Sequence, residues 1–311
     1  MISTFESLLP VFLVIALGWA LRARHVVPEE MWRGLELVAY WVFFPALLAE
    51  TMIKADISEL PLTGVALTML GAFFSMTLLL LTFQRPIMQW LGIGGPSFSS
   101  LFQGAVRWNG FVALPILAKL YGSEGVALVA VIMGVLVPIA NIMAVYVVTR
   151  NAHGPGLTWR QTIYTIFRNP FIWATGIGFA INLLHVPIYE PFMTAMGTLG
   201  GAAIGAGLLM VGAGLSTREA VRPSPAVWTA TILKLVGMPM LVTVWALVTG
   251  ISGTAFVACI VCNAVPTAMS AYVMARQMGG DGPLVAATVT VQTVLSFFTI
   301  PVMILMAESL R

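Results

Sequence analysis

The chain has 311 residues, 59% of them hydrophobic and only 9% charged, with a net charge of +3. Soluble globular domains carry about 25% charged residues, so this chain has too little polar surface to face water and reads as an all-α polytopic membrane protein. No basic run or aromatic-basic patch accompanies the positive balance, which argues against nucleic acid as a partner and places the charge in loops at the membrane surface.

A bilayer core takes about 20 residues of helix. That ruler predicts ten spans, at 4–22, 34–53, 62–83, 98–118, 126–149, 170–186, 195–215, 226–248, 254–275 and 283–306. The first has no positively charged segment before it and no evident small-residue cleavage site, so it reads as a retained helix rather than a signal peptide. The second carries Glu36 and Glu50 near opposite ends, at headgroup level. The fourth contains Arg107-Trp108-Asn109-Gly110-Phe111-Val112-Ala113-Leu114-Pro115 and leads to the turn Gly122-Ser123-Glu124-Gly125. The stretch Arg150 to Arg168 divides the chain into halves, 1–155 and 156–311. His185 ends the sixth span beside Pro187. The seventh is dense in small residues, with GxxxG spacings at 197/201 and 201/205, and predicts close helix packing. The eighth holds Lys234, whose long stem can snorkel to the surface. The ninth contains Cys262-Asn263-Ala264-Val265-Pro266-Thr267 and leads to Gly279-Gly280-Asp281-Gly282.

The basic residues predict orientation. With the N-terminus outside, cytoplasmic loops hold ten arginines (22, 24, 33, 85, 150, 160, 168, 218, 222 and 276), whereas the outside holds Lys54, Lys119 and Arg311. Both termini are then external. Five spans per half invert the second half relative to the first. A shift of 157 residues superimposes Ala118-Lys119 on Ala275-Arg276 and the first glycine turn on the second.

Interrupted spans at corresponding places in two halves point to the binding site of a secondary transporter. Proline removes a backbone donor and clashes with the carbonyl four residues back, and the freed groups need partners inside the membrane. Pro115 and Pro266 therefore predict unwound segments, with Asn109 and Asn263 offering amides to a polar ligand. Arg107 lies near mid-membrane, where such a residue faces the interior and pairs with something. It is either a clamp for a carboxylate or a structural partner of Glu36, Glu50 or a carbonyl. Asn141 and Gln292 are either cavity liners or interhelical hydrogen bonders. Cys259 and Cys262 form a CxxC inside an apolar span, without the further ligands a zinc site needs. The histidines His25, His153 and His185 lie near loops and form no metal-spaced cluster. No metal, cofactor or convergent catalytic set is expected, and the chain does not read as an enzyme.

Arg107-Trp108-Asn109-Gly110-Phe111 with Leu114-Pro115 and Tyr121-Gly122 resembles the fourth span of the auxin efflux carrier family. Arg168-Asn169-Pro170-Phe171, Pro191-Phe192 with Gly212-Ala213-Gly214-Leu215, and Ala264-Val265-Pro266 with Ala275-Arg276-Gln277 resemble its sixth, seventh and ninth spans. The short central loop is similar to bacterial members, some described as malonate or malate transporters. The resemblance implies ten transmembrane helices in two inverted five-helix repeats, with broken helices 4 and 9 crossing. It also implies a scaffold of spans 1, 2, 6 and 7, a moving transport domain of spans 3–5 and 8–10, elevator-like movement, and a homodimer in the inner membrane. Plant members have a second proline where this chain has Ser270-Ala271, so a milder break, or one nearer Asn263, is expected in span 9. The fold also resembles sodium-coupled bile-acid carriers, although spans 4 and 9 lack the carboxylates that hard cations favour.

The leading expectation is a secondary carrier of a small organic anion, a mono- or dicarboxylate. Its substrate-binding residues would be Arg107, Asn109, Pro115, Asn141, Asn263, Pro266 and Gln292, with a proton or sodium ion as coupling partner. A sodium-coupled symporter of another organic anion, or a sensor or channel without coupled transport, is the alternative.

Overall fold

A computed structural model of the chain describes residues 2–54, 61–151, 160, 170–216 and 220–309. Among these residues the regular structure is entirely helical. The helices are α1 (Ile2–Ala23), α2 (Glu29–Val38), α3 (Phe44–Lys54), α4 (Leu62–Thr82), α5 (Gln84–Leu91), α6 (Gly95–Val106) and α7 (Gly110–Asn151). They continue as α8 (Pro170–Leu183), α9 (Glu190–Ala213), α10 (Pro225–Ile232), α11 (Met238–Thr249), α12 (Gly253–Ala264), α13 (Ser270–Met278) and α14 (Gly282–Ser309). Six helical stretches are long and apolar enough to cross a membrane: Glu30–Lys54, Leu62–Thr82, Gly95–Asn151, Glu190–Ala213, Pro225–Thr249 and Gly282–Ser309. Leu8–Ala23, Trp173–Leu183 and Gly253–Ala264 are shorter apolar helices.

Two long rods bulge for the same local reason. A π-helical turn, Ala39–Phe43, joins α2 to α3, and another, Leu233–Gly237, joins α10 to α11. Each is followed at the same offset by a proline, Pro45 and Pro239. A proline ring collides with the carbonyl four residues back. Here the preceding turn widens instead, so that the Phe44 and Met238 amides reach the Ala39 and Leu233 carbonyls five residues back.

The predicted fourth and ninth spans are each divided. Twelve residues of α6 precede the first interruption, and twelve of α12 precede the second. Past the first, α7 kinks at Gly122, whose φ of 56° and ψ of −137° lie outside helical space. Past the second, α13 ends at Gly279, with φ 81°. Positive φ favours glycine at both turns. The acids beside them differ. Asp281 Oδ1 accepts from the Leu284 amide at 3.0 Å and caps α14, while its Oδ2 accepts from Ser97 Oγ at 2.7 Å. Its own amide donates to Ser100 Oγ at 2.8 Å. Asp281→Ala is expected to lower stability by about 1–2 kcal/mol, as the loss of an N-cap does, read from melting of the purified protein in detergent.

The small residues of α9 pack differently from the GxxxG reading. Gly201 and Gly205 have open space beside them, and Gly197 faces the Glu50 carboxylate. The close approaches use Gly200 against the Leu47 backbone, Gly207 against Phe44, and Gly212 against the Ile15 carbonyl of α1. Gly18 of α1 meets the Leu209 carbonyl in return, and the Arg22 guanidinium donates to the Ala213 carbonyl. A Cβ at position 212 would overlap backbone, which cannot yield as a side chain end can. Gly212→Val is therefore expected to cost at least about 1–3 kcal/mol, whereas Gly201→Val should leave the melting temperature nearly unchanged.

Candidate functional site at the crossing of two interrupted helices

The first interruption is Arg107–Asn109. Arg107 leaves α6 in extended backbone (φ −78°, ψ 151°). Asn109 restarts the chain as a helix, its Oδ1 accepting from the Phe111 amide at 3.0 Å and its carbonyl from Val112 and Ala113. This is N-cap chemistry, and it commits the amide oxygen to structure. Among the described residues Asn109 Nδ2 makes no hydrogen bond and remains available. Pro115 lies inside the helix that follows, so unwinding begins eight residues before the proline expected to cause it.

The second interruption runs from Val265 (φ −71°, ψ 155°) to Met269 and contains Pro266. It begins directly after Asn263-Ala264 and is longer than the first. Ser270, standing where plant members have a second proline, starts α13.

The two interruptions are hydrogen-bonded to each other. Thr267 Oγ1 donates to the Gly104 carbonyl at 2.8 Å and more weakly to the Arg107 carbonyl at 3.4 Å. Gln292 of α14, fully buried, accepts from the Thr267 amide at 2.8 Å. Its Nε2 donates to the Gly104 carbonyl at 2.9 Å and to the Ala230 carbonyl at 3.4 Å. Thus one side chain joins α6, α10 and the second interruption, and carbonyls left free by the end of α6 find partners.

Arg107 completes the crossing. It is 9% exposed, and its guanidinium donates to Ser270 Oγ at 2.8 Å and to Met274 Sδ at 3.8 Å. No Asp or Glu occurs in residues 95–121 or 253–278. Glu50 pairs with Lys54 instead, at 2.8 Å, and Glu36 is exposed. The structural pairing of Arg107 with either glutamate is therefore absent. Two half-helices, α7 and α13, begin at this point, and each presents a partly positive N-terminus. A guanidinium without a carboxylate beside two such ends attracts anions.

The sequence profile of the membrane transport protein family matches residues 3–304. The chain belongs to this family, which is that of the auxin efflux carriers. It is also similar to an uncharacterized transporter of Methanothermobacter thermautotrophicus strain Delta H, with 26% identity over 302 residues, covering 95% of this chain and 96% of the relative. The protein is a multi-pass membrane transporter.

The other sequence candidates in this transporter lie around the crossing or apart from it. Asn263, two residues before the second interruption, donates to the Cys259 carbonyl at 3.0 Å and to Met69 Sδ at 3.2 Å, tying α12 to α4. Asn141 is half-buried on α7 with no hydrogen bond among the described residues. Lys234 does not snorkel. It is 0% exposed and its Nζ has no hydrogen-bond partner among the described residues. Arg168, Asn169, His153 and Arg218 lie outside the described residues.

Thr267 and Ser270 were not singled out as binding residues. Their signal is a hydroxyl directly after Pro266 and another where the helix must restart. Phe111, next to the first interruption, stacks on Phe44 of α3 at 4.4 Å and meets Phe171 of α8 edge-on at 6.4 Å. This aromatic group joins the crossing to the helices beside it. Beyond it, an apolar groove of about 630 Å³ lies between α3, α8 and α9, lined by residues including Trp41, Trp173, Ile177 and Phe192. None of the seven predicted binding residues lines this groove.

Proposed function

We propose that this transporter is a secondary carrier of a small organic anion, a mono- or dicarboxylate, in the bacterial inner membrane. The observation that carries the reading is Arg107, a buried guanidinium bonded among the described residues only to Ser270 and Met274, set where two interrupted helices meet. The substrate carboxylate would take the open donors of Arg107. Asn109 Nδ2 and the half-helix N-termini would orient it, as discontinuous helices do in other carriers. Gln292 and Asn263 serve this site by holding its walls.

Ten spans in two inverted five-helix repeats, with both termini outside, are part of the proposal. The element order supports it. Apart from α5, which has no counterpart in the second half, the chain repeats from α4 to α7 and from α10 to α14 a long rod, a twelve-residue half-helix, an interruption, a second half-helix, a positive-φ glycine and a long final helix. In this reading α1 to α3, α8 and α9 form the scaffold, and the remaining long helices move past them. The Phe44–Phe111 stack lies at the boundary between these groups. A homodimer would use the scaffold, where Thr198, Gly201, Ala202 and Gly205 form an exposed strip of small residues on α9.

Uptake of radiolabelled malonate, acetate and other small carboxylates into proteoliposomes tests the reading. Saturable uptake of at least one supports it. Uptake of none, by protein that remains folded in the vesicles, would sink it.

A further inference from the structure

Lys234 sits in the π turn Leu233–Gly237, wholly buried, and among the described residues its Nζ lacks a hydrogen-bond partner. The elements packed on this turn bring it no carboxylate. Neither α4 nor α6 has a titratable side chain, Lys234 has no titratable neighbour on α10 or α11, and α14 has only Glu308, in its last turn. From α12 come Cys259 and Cys262, both buried and free, with Cys262 within electrostatic reach.

The unpaired polar groups on the helices packed about this turn are uncharged. Gln103 of α6 is fully buried, and neither its Oε1 nor its Nε2 is paired. Thr231, one turn before Lys234, has an unpaired Oγ1. All three residues lie within about one helical turn of the point where Gly104 touches Ala230. Unpaired buried polar groups are rare and call for a reason. A site for a bound anion would present donors alone, whereas this group also holds the Gln103 carbonyl oxygen. Gln103 and Thr231 between them offer what a lysine needs in either state. An ammonium would donate to Gln103 Oε1 and Thr231 Oγ1, and an amine would accept from Gln103 Nε2 or the Thr231 hydroxyl.

We propose that Lys234 is the proton-carrying group of this transporter, and that the coupling ion is therefore the proton. The amine lone pair takes one proton from water on one side of the membrane, forming an N–H bond, and returns it to water on the other. One proton moves per cycle and nothing is oxidised or reduced. Gln103 and Thr231 are positioning residues that re-pair as the proton comes and goes. The proposal rests on the carrier reading above.

Its first test needs no transported substrate, so it fails separately from that reading. Wild type and Lys234→Met are melted in detergent from about pH 5 to about pH 9, a range over which an unfolded lysine keeps its charge. Where the native lysine has given up its proton and the unfolded one has not, lowering the pH favours unfolding of wild type. The melting-temperature advantage of Lys234→Met should therefore grow as pH falls, then level off where the native lysine takes up its proton. A constant advantage across the range would mean that the lysine stays charged. An advantage that grows without levelling would mean that it never takes a proton. Either result overturns the proposal.

The second test uses proteoliposomes with the membrane potential clamped. A pH gradient should drive accumulation of labelled malonate by wild type above that of protein-free vesicles, and Lys234→Met should lose that accumulation while still exchanging labelled for unlabelled substrate. Gradient-driven accumulation that survives in Lys234→Met would also overturn the proposal.

Discussion

Arg107→Ala is expected to weaken carboxylate transport by about ten- to a hundredfold in half-saturation concentration, with the protein still folded. The size follows from the interaction lost. A hydrogen bond to a charged group contributes about 1.5–3 kcal/mol, and about 1.4 kcal/mol is a factor of ten. Stability should not fall in step. Among the described residues the partners given up are one hydroxyl and one thioether, while insertion of a mid-membrane arginine costs about 2.5–3.5 kcal/mol. Arg107→Lys should recover part of the affinity, since it restores a charge without the planar two-toothed donor. Uptake kinetics and a melting curve on the same preparations separate the two effects. Unchanged affinity in Arg107→Ala would remove the clamp from the mechanism.

The opposite pattern is expected at Gln292. Gln292→Leu removes the acceptor of the Thr267 amide and the donor shared by the Gly104 and Ala230 carbonyls, all in a buried place. Each buried polar group left unpaired costs about 1–3 kcal/mol, and since the Ala230 carbonyl keeps the Leu233 amide the Thr267 amide is the group stranded, so a loss of about 1–3 kcal/mol is expected. Gly104 keeps Thr267 Oγ1 as a partner, which moderates the total. Gln292→Glu should not rescue it, because the carboxylate sets an oxygen against the Gly104 carbonyl. Melting in detergent, together with the fraction of protein eluting as a single species, reads the effect. A Gln292→Leu protein as stable as wild type would mean that the two interruptions hold together by other contacts.

Much of this organisation is legible in the sequence, for reasons that also mark its limits. Apolar length locates the helices, and a lone arginine in an apolar run marks the crossing, because a charge there needs a purpose. Helix ends within the membrane are harder to locate. Proline suggested unwinding at Pro115, yet the chain unwinds at Arg107–Asn109, where Asn109 can cap the next helix and Thr267 can receive the freed carbonyls. Thr267 and Gln292, which donate to those carbonyls, come from elements more than 150 residues away, and local propensity does not contain them. Gln292 gave two equal readings because its partners are backbone groups, which carry no side-chain signature.

Gly201 and Gly205 fit a packing motif by spacing, but which face of α9 meets a neighbour is a tertiary fact, and Gly200, Gly207 and Gly212 occupy it. Lys234 was misplaced because snorkelling assumes a straight rod, whereas its rod bulges just ahead of Pro239. The short helix α5 was passed over because eight residues with exposed Trp90 fall below the length of a span.

The bulge ahead of Pro239 also acts as a phase setting. One extra residue in a helical rod turns everything after it by about 100°. That rotation brings Trp245 Nε1 onto Ser75 Oγ at 3.0 Å and Thr249 Oγ1 against Thr68 Oγ1 at 2.6 Å, fastening α11 to α4. A single-residue deletion in Leu233–Gly237 would leave the composition of the rod almost untouched, yet it would swing both latches away from α4. The interior position of Lys234 and the attachment of α11 are thus two readings of one count of residues.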